Sequence, residues 1–370
     1  QVAITIGASQ ALYVTFQTII SPGDEVILLE PFFDLYLGQI KMAGGVVKPV
    51  PLRVEEGEFR LDIGAIRSVI SPQTRAIVVN TPHNPTGKVF SREELESIAQ
   101  VVRENPRMLV ISDEVYKYMV YSNLKLDDSE NLNGAAAVAA ASPITAVSGS
   151  VNDQNLMTGT EPLPALRHIH FATLEGMWDR TITISSAGKT FSVTGWQVGW
   201  VLGPARVIQE IHTILPYIQF CAATPLQEAM CTVLVEAERP YGGEASYYDW
   251  LRQQYAAKRA RLEEALRAAG IVPLHGEGGF FLIGDMSGIK VPEKYLKEST
   301  PVMPIVTRDW AFCRWLALEH GLVAIPTSPF FSPTSRAAGL GNGLVRFCFC
   351  KTDETLEAAA AALVKMTKEQ

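Results

Sequence analysis

The sequence predicts an α/β protein, in which a larger part built on a doubly wound, mostly parallel β-sheet precedes a smaller C-terminal α/β part. Short apolar segments end in turn residues, as is typical of buried parallel strands. Segments with helical periodicity lie between them. This alternating order favours a doubly wound sheet, which binds its ligands at the carboxyl ends of its strands.

The predicted strands of the larger part each run into polar, glycine-containing or proline-containing sequence. The first residues already have a strand pattern and no starting Met precedes them, so we expect the sequence to begin inside a domain. Because the polar residues follow the strands, we expect the functional residues to gather at one edge of the sheet. The strands are predicted at 1–6, 26–29, 76–79, 109–111 and 181–184.

One helix and one insertion stand out between these strands. Ser91 and Glu94 form a capping-box pattern before a helical face that carries apolar residues up to Val102. Residues 124–168 are rich in Ala, Ser, Asn and Gly, which predicts a flexible surface insertion. A functional lid is the alternative interpretation of this insertion.

The division into domains is predicted from a glycine pair, Gly242-Gly243, and from the pattern that follows it. A charged helix is expected next, and then two strands of a smaller domain. We therefore predict a large domain at 1–240 and a small domain at 241–370, the latter with its helix at 255–269 and its strands at 280–283 and 344–349.

Composition excludes several classes of function. The 370 residues are 47% hydrophobic and 19% charged, as in soluble globular proteins, and the formal charge of -7 gives no support to a nucleic-acid partner. No apolar run is long enough to span a bilayer, so we expect no membrane partner. Six histidines without metal-ligand spacing predict no structural or catalytic metal.

The five cysteines favour free thiols in a reducing compartment, because their number is odd and no C-x-x-C occurs. We therefore expect a cytoplasmic protein. A mitochondrial location is left open, because targeting cannot be judged from a sequence without its starting Met.

Lys189 is the strongest candidate for chemistry. It follows a predicted strand and the small residues Ser186, Ala187 and Gly188, which give a flat cofactor room to approach a lysine that forms a Schiff base. A solvated surface lysine is the alternative. A Walker-type phosphate loop is excluded, because Thr183 stands where that motif needs its first glycine.

Two further candidate motifs follow predicted strands. Asn84 lies in a turn rich in proline, where its amide has the chemistry to bind a phenolate-like oxygen. Asp113 has the charge to pair with a pyridinium nitrogen, and Tyr116 follows three residues later. A plain turn for Asn84, a helix N-cap for Asp113 and a packed aromatic for Tyr116 are the alternatives.

Three weaker signals complete the set. Ala8 and Ser9 lie between a strand and a helix, where backbone N–H groups suit a phosphate. Phe33 has a ring able to stack on a flat ligand, with core packing as the alternative. Arg346 lies inside an apolar strand and needs a carboxylate partner, either from a substrate or from a structural salt bridge.

Taken together, these segments resemble the fold-type-I pyridoxal-phosphate aminotransferases of class I. The likeness is greatest to the kynurenine aminotransferase group, also called glutamine transaminase K or cysteine-S-conjugate β-lyase. It covers nearly the whole chain outside the insertion. The strings that carry it are EPFFD at 30–34, NTP at 80–82, NP at 84–85, GKVFSREEL at 87–95, GMW at 176–178, SAGKTF at 186–191 and GLVAIP at 321–326.

The resemblance implies a fold-type-I architecture, pyridoxal 5′-phosphate as the cofactor, and a role for each matching residue. Lys189 is expected to hold the cofactor covalently and to move the substrate proton, and Asp113 to pair with the pyridine nitrogen. Asn84 and Tyr116 are expected at the ring oxygen, with Asn84 also on the substrate side. The remaining implied roles are ring stacking for Phe33, phosphate binding for Ala8, Ser9 and Ser186, the α-carboxylate clamp for Arg346, and the side-chain pocket for Phe220.

The chain departs from the family pattern in three places. Gln197 stands where the family usually has a Lys or Arg facing the phosphate, and loss of one charge-assisted contact weakens binding by roughly 1–3 kcal/mol. The N-terminal arm of the family has no counterpart before Gln1. Ser9 and Cys221 replace an aromatic residue and a histidine found in some members, which predicts an altered amino-acid preference.

The implied activity is transfer of an amino group from an aromatic or sulfur-containing amino acid to a 2-oxo acid, in two half-reactions of a ping-pong mechanism. The implied assembly is a homodimer. Two alternatives stay open at this point. One is β-elimination from cysteine conjugates by the same machinery, and the other is a truncated or degenerate family member without turnover.

Overall fold

The computed structural model describes residues 1–121 and 168–368, and most of the insertion predicted at 124–168 therefore lies outside the described residues. No helix in the described ranges is long and apolar enough to cross a membrane. The strands are β1 (Val2–Ile6), β2 (Glu25–Glu30), β3 (Val46–Pro51), β4 (Arg53–Glu55), β5 (Glu58–Arg60), β6 (Thr74–Asn80), β7 (Leu109–Asp113), β8 (Thr181–Ser186), β9 (Val198–Leu202), β10 (Val272–Pro273), β11 (Phe281–Asp285), β12 (Ile325–Pro326) and β13 (Leu344–Cys348).

The helices connect these strands and cover the faces of the sheets. They are α1 (Gly7–Ile19), α2 (Leu35–Met42), α3 (Ile63–Ser68), α4 (Arg92–Glu104), α5 (Ala187–Thr190), α6 (Ala205–Ile218), α7 (Thr224–Glu236), α8 (Tyr247–Ala268), α9 (Glu293–Lys297), α10 (Arg308–His320), α11 (Pro333–Ala337) and α12 (Asp353–Lys368).

The central sheet has seven strands in the order β1-β9-β8-β7-β6-β2-β3. Its strands are parallel except β9, which is antiparallel to both of its neighbours, β1 and β8. This mostly parallel sheet confirms the predicted fold class, and the predicted strands of the larger part all lie in it.

Two hydrophobic cores lie on opposite faces of this sheet, because successive side chains of a strand point to opposite sides. In β2, Val26 and Leu28 pack into one core together with residues of α1 and α6. Ile27 and Leu29 pack into the other core together with α4. Helices on both faces explain why the predicted strands are continuously apolar.

The capping box predicted for α4 is confirmed, and the helix predicted at 255–269 is longer than expected. The Ser91 hydroxyl accepts from the Glu94 backbone while the Glu94 carboxylate accepts from the Ser91 backbone, which is the predicted capping box. Helix α8 begins earlier than predicted, after Ser246, whose side chain caps it by accepting from the Asp249 N–H.

The C-terminal part carries a second, antiparallel sheet in the order β10-β11-β13-β12. Its core also contains residues that directly follow β7, among them Val115 and Tyr116. This packing holds β13 beside the carboxyl ends of the central strands. The domain limits at 1–240 and 241–370 stay a prediction.

Candidate active site

All but one of the predicted site residues meet in one cavity of about 290 Å³, at the carboxyl ends of the central strands. The cavity also contacts β11 and β13 of the smaller sheet. Its lining includes ten of the residues singled out from the sequence, namely Ala8, Ser9, Phe33, Asn84, Asp113, Tyr116, Ser186, Lys189, Gln197 and Arg346.

Lys189 lies in the single turn of α5, directly after β8. The backbone at Gly188 packs closely against Thr194, because a Cβ on Gly188 would lie only 3.2 Å from Thr194 Cα. The Lys189 Nζ lies 5.7 Å from the centroid of the Phe280 ring, at the cavity wall. The amine is therefore a cavity group of the kind a Schiff base needs, and not the solvated surface lysine that was its alternative.

Asp113 ends β7 and is only 3% exposed. The Tyr36 hydroxyl donates a hydrogen bond to its Oδ2 at 2.6 Å, and the Val115 N–H donates to its Oδ1 at 3.3 Å. Burial raises the pKa of the Asp113 carboxyl to about 6, although both hydrogen bonds and the charge of Lys189 act to lower it. A buried carboxylate of this kind is ready to pair with a cationic group that enters the cavity.

Asn84 is fixed by hydrogen bonds on two sides. Its N–H donates to Asn80 Oδ1 at 2.7 Å, and the Asn80 amide in turn donates to the Asp113 carbonyl at 2.9 Å. Its own Oδ1 accepts from Arg346 Nη1 at 2.7 Å. Since the oxygen of the amide faces Arg346, its N–H₂ group is the part left to donate to an oxyanion in the cavity.

Arg346 projects from β13 between two aromatic rings, with its guanidinium carbon 5.4 Å from the Phe281 centroid and 5.1 Å from the Phe330 centroid. Its hydrogen bond goes to the Asn84 amide and not to a carboxylate. Burial lowers the pKa of Arg346, although it stays a strong base. A buried, stacked guanidinium with remaining N–H donors is suited to bind a carboxylate in bidentate fashion.

Tyr116 packs edge-on against Phe280 and Phe281, with centroid separations of 5.3 and 5.4 Å. It is 4% exposed, and burial raises the pKa of its hydroxyl above the ordinary value. The hydroxyl therefore stays protonated at neutral pH and is available as a donor.

The cavity lining also includes the N-terminus of α1. Ile6 at its N-cap supplies no side-chain hydrogen bond, so the first N–H groups of this 13-residue helix have no cap from that residue. Gly7 has φ +66°, and a Cβ on Gly199 would come to 2.6 Å from Gly7 C. The two glycines bring the backbone close together here, and an uncapped helix N-terminus suits a phosphate group.

Gln197 lies beside this helix terminus in the left-handed conformation, with φ 50°. Its Nε2 donates to the Thr194 carbonyl at 2.7 Å, so its amide is held by the turn that follows α5. Ser9 and Ser186 line the same cavity. The predicted phosphate-binding residues are thus brought together.

Phe220 is the predicted site residue that the structure places elsewhere. Its side chain is 88% exposed and does not line the cavity. Pro216 lies in the last turn of α6, and the backbone becomes extended at Gln219, which carries Phe220 onto the surface. The single chain therefore does not bring Phe220 to the cavity, and its assignment to the side-chain pocket stays a prediction.

The cavity also contains residues that sequence reasoning missed. Tyr36 is the most important, because it contacts Asp113 directly. Its position three residues after Phe33 was the one available signal. Phe280 and Phe281, identified from the sequence only as part of a strand, form an aromatic wall of the cavity.

Two of the six histidines lie close together in the structure. The sequence predicted no metal site because no histidines have metal-ligand spacing. In the structure, His168 and His170 meet Glu114, and their ligand atoms all lie within 4.8 Å of one another. This cluster lies outside the cavity lining.

Comparisons with known proteins agree on one family. The profile described as "Aminotransferase class I and II" matches residues 1–363. The kynurenine–oxoglutarate transaminase of Dictyostelium discoideum is 36% identical over 383 residues, covering 100% of this chain and 77% of that protein.

Two solved structures are similar throughout the chain. Bna3p of Saccharomyces cerevisiae has a TM-score of 0.81 and 29% identity, covering 100% of this chain and 77% of its own. The N-succinyldiaminopimelate aminotransferase of Mycobacterium tuberculosis has a TM-score of 0.76 and 32% identity, covering 99% of this chain and 77% of its own.

Proposed function

Because this chain belongs to the aminotransferase class I and II family, whose members are pyridoxal-phosphate enzymes that transfer an amino group between an amino acid and a 2-oxo acid, we propose that the cavity around Lys189 is its active site. One observation carries the proposal. Lys189, Asp113 and Arg346 come from distant parts of the sequence and line a single cavity with the N-terminus of α1.

The residues present fit pyridoxal 5′-phosphate. The uncapped helix N-terminus at Gly7 suits the phosphate, and the buried Asp113 carboxylate suits the pyridinium nitrogen. Asn84 and Tyr116 supply donors for the ring oxygen, Phe33 supplies an aromatic surface, and Lys189 supplies the amine for covalent attachment. The cofactor, when bound, supplies an electron sink for the bonds to the substrate Cα.

The chain itself would bind the substrate, orient it and move its proton. Arg346 binds the α-carboxylate, and Asn84 Oδ1 holds the guanidinium in place for that purpose. Lys189 Nζ would carry the proton from the substrate Cα to the cofactor carbon C4′ in the first half-reaction, and in the reverse direction in the second. Asp113 stays ionised beside the pyridine nitrogen, and the aromatic wall of Phe280 and Phe281 helps to exclude water.

We propose kynurenine as the amino donor and 2-oxoglutarate as the acceptor. The name of the Dictyostelium relative supports this choice. The aromatic side chains around the cavity, from Phe33, Tyr116 and Phe280, are suited to an aromatic substrate. The fold alone does not select a donor, since a solved structure of similar fold is an N-succinyldiaminopimelate aminotransferase.

Borohydride reduction of the cofactor-loaded protein tests the attachment site. We expect the cofactor to become permanently attached to wild type and to the surface control Lys41→Ala, but not to Lys189→Ala, as measured by intact mass and by peptide mapping. Single-turnover absorbance with kynurenine, followed by product analysis, then tests the donor. Absence of attachment in wild type would refute the site, whereas attachment without kynurenine turnover would refute only the proposed donor.

We further propose a homodimer in the cytoplasm. Exposed aromatic residues lie in the last turn of α6 and just after it, with Tyr217 89% and Phe220 88% exposed, and large exposed apolar groups favour an interface. Light scattering of wild type and of Tyr217→Ser/Phe220→Ser tests the assembly, and a loss of mass to the monomer is the expected result. The free thiols of all five cysteines support a reducing compartment, which cell fractionation would test.

A further inference from the structure

A second cluster of reactive side chains lies behind the carboxyl end of β7, outside the active-site cavity. His170 Nδ1 lies 2.5 Å from Glu114 Oε2, and His168 Nε2 lies 3.1 Å from the same oxygen. The two imidazole rings meet edge-on, with centroids 4.7 Å apart. One carboxylate oxygen and two imidazole nitrogens therefore converge on one point.

The local backbone explains this convergence. Consecutive side chains of extended chain point to opposite sides, so Asp113 faces the cavity while Glu114 faces away from it. Residues 168 and 170 are two apart in a segment that is extended at His170, with φ -72° and ψ 120°. Their rings therefore lie on the same side, facing Glu114.

The Glu114 carboxylate is prepared to act as a ligand through one oxygen. Its Oε1 accepts a hydrogen bond from the Ser112 hydroxyl at 2.9 Å, which leaves Oε2 facing the histidines. The Glu114 side chain is 0% exposed, and a buried carboxylate needs a positive or hydrogen-bonding partner.

The two histidines differ in burial. The His168 side chain is 5% exposed, and its buried Nδ1 has no hydrogen-bond partner within residues 1–121 and 168–368. The His170 side chain is 46% exposed, so one side of the cluster is open to solvent. Three protein ligands with an open fourth position are a common arrangement for a divalent transition metal.

We propose that Glu114, His168 and His170 bind one Zn²⁺ ion, with solvent as the fourth ligand. Imidazole nitrogen and carboxylate oxygen are both good ligands for this ion, and its charge neutralises the buried carboxylate. The ion links residues 168–170 to the carboxyl end of β7. Because Glu114 and both histidines lie outside the cavity that holds Lys189, the ion takes no part in the proposed transamination.

Isothermal titration of the chelator-treated, cofactor-loaded protein with Zn²⁺ tests the proposal. We expect wild type to bind one ion per chain and His170→Ser to bind it at least tenfold more weakly. His170→Ser is the primary variant, because the His170 side chain is half exposed and its removal leaves the fold intact. The matched control is His212→Ser, which removes an exposed histidine of α6 and should bind like wild type. Glu114→Gln is a second variant, expected to lose binding as well.

Substitution with Co²⁺ gives an independent readout. Wild type and His212→Ser should show the visible absorption bands of tetrahedral Co²⁺, and His170→Ser should not. Equal affinities for wild type and His170→Ser, or an equal loss in His212→Ser, would overturn the proposal and leave the cluster as a hydrogen-bonded group only. Because the readouts are metal binding and absorption, they are independent of the proposed transaminase activity.

Discussion

The hydrogen bond from Tyr36 to Asp113 is expected to keep the cavity carboxylate ionised, and Tyr36→Phe tests this. The variant removes one hydroxyl, 2.6 Å from Asp113 Oδ2, and leaves the ring in place. A hydrogen bond to a charged group contributes roughly 1.5–3 kcal/mol, and one pKa unit corresponds to about 1.4 kcal/mol. In the cofactor-free protein, the pKa of Asp113 should therefore rise by roughly 1–2 units from its value of about 6.

The direction of the stability change follows from this pKa. Burial raises the pKa of Asp113 in the folded protein above its ordinary value of 3.8, so the folded state binds more protons and loses stability as pH rises between 3.8 and about 6. In Tyr36→Phe this loss should continue to roughly pH 7–8. The variant should therefore be close to wild type near pH 5 and less stable by roughly 1.5–3 kcal/mol near pH 8.

Urea unfolding of the cofactor-free protein at both pH values, in buffer with a chelator, measures this difference. Affinity for pyridoxal phosphate near pH 7 should fall in parallel, because less of Asp113 is ionised. The control is Tyr13→Phe, which removes a hydroxyl from a half-buried tyrosine of α1 that does not line the cavity. A destabilisation by Tyr36→Phe that is equal at the two pH values would refute the reasoning.

Three further predictions concern the cofactor and the substrate carboxylate. Gln197→Lys should tighten binding of pyridoxal phosphate by roughly 1–3 kcal/mol in a fluorescence titration, because it adds a charged donor beside the helix N-terminus; unchanged affinity would show that residue 197 does not face the phosphate. Arg346→Lys should raise KM for the amino donor about tenfold or more in steady-state assays, with kcat less affected, because lysine lacks the bidentate fork. Gly199→Ala should lower cofactor affinity in the same titration, because its Cβ would lie 2.6 Å from Gly7 C; wild-type affinity would show that the backbone can yield there.

The sheet could be predicted from sequence because its signals are local. Continuous apolar runs that end in turn residues marked β2, β6, β7 and β8, and the capping box at Ser91 marked the start of α4. The start of α8 was missed by several residues, because its first turn shows a weaker pattern than its charged middle. The relative direction of β9 depends on long-range pairing and was not predicted.

In the active site, too, the residues marked by local signals could be predicted and the long-range contacts could not. Lys189 and Asp113 were found because each lies at or just after the carboxyl end of a strand, and the carboxyl ends of parallel strands meet at one edge of the sheet. The contact of Arg346 with Asn84 joins residues 262 positions apart, and only the family resemblance suggested that both serve one site. The place of Phe220 could not be derived from its local motif, because a local motif does not state which way a surface loop faces.

Glu114 shows why neighbouring residues of one motif need not share a role. In the sequence, Asp113 and Glu114 are two adjacent carboxylates after a strand. In the structure, burial raises the pKa of Asp113 to about 6 against the lowering effect of its two hydrogen bonds, whereas contacts with His168 and His170 lower that of Glu114 to about 2. Because the side chains of successive residues in extended chain point to opposite sides, the two carboxylates at this strand end face different partners. The Asp113 carboxylate faces the active-site cavity, and the Glu114 carboxylate faces a histidine pair more than 50 residues away in the sequence. The charge of Glu114 acts to raise the pKa of Asp113, so the two sides of this strand end are electrostatically linked even though they face different partners.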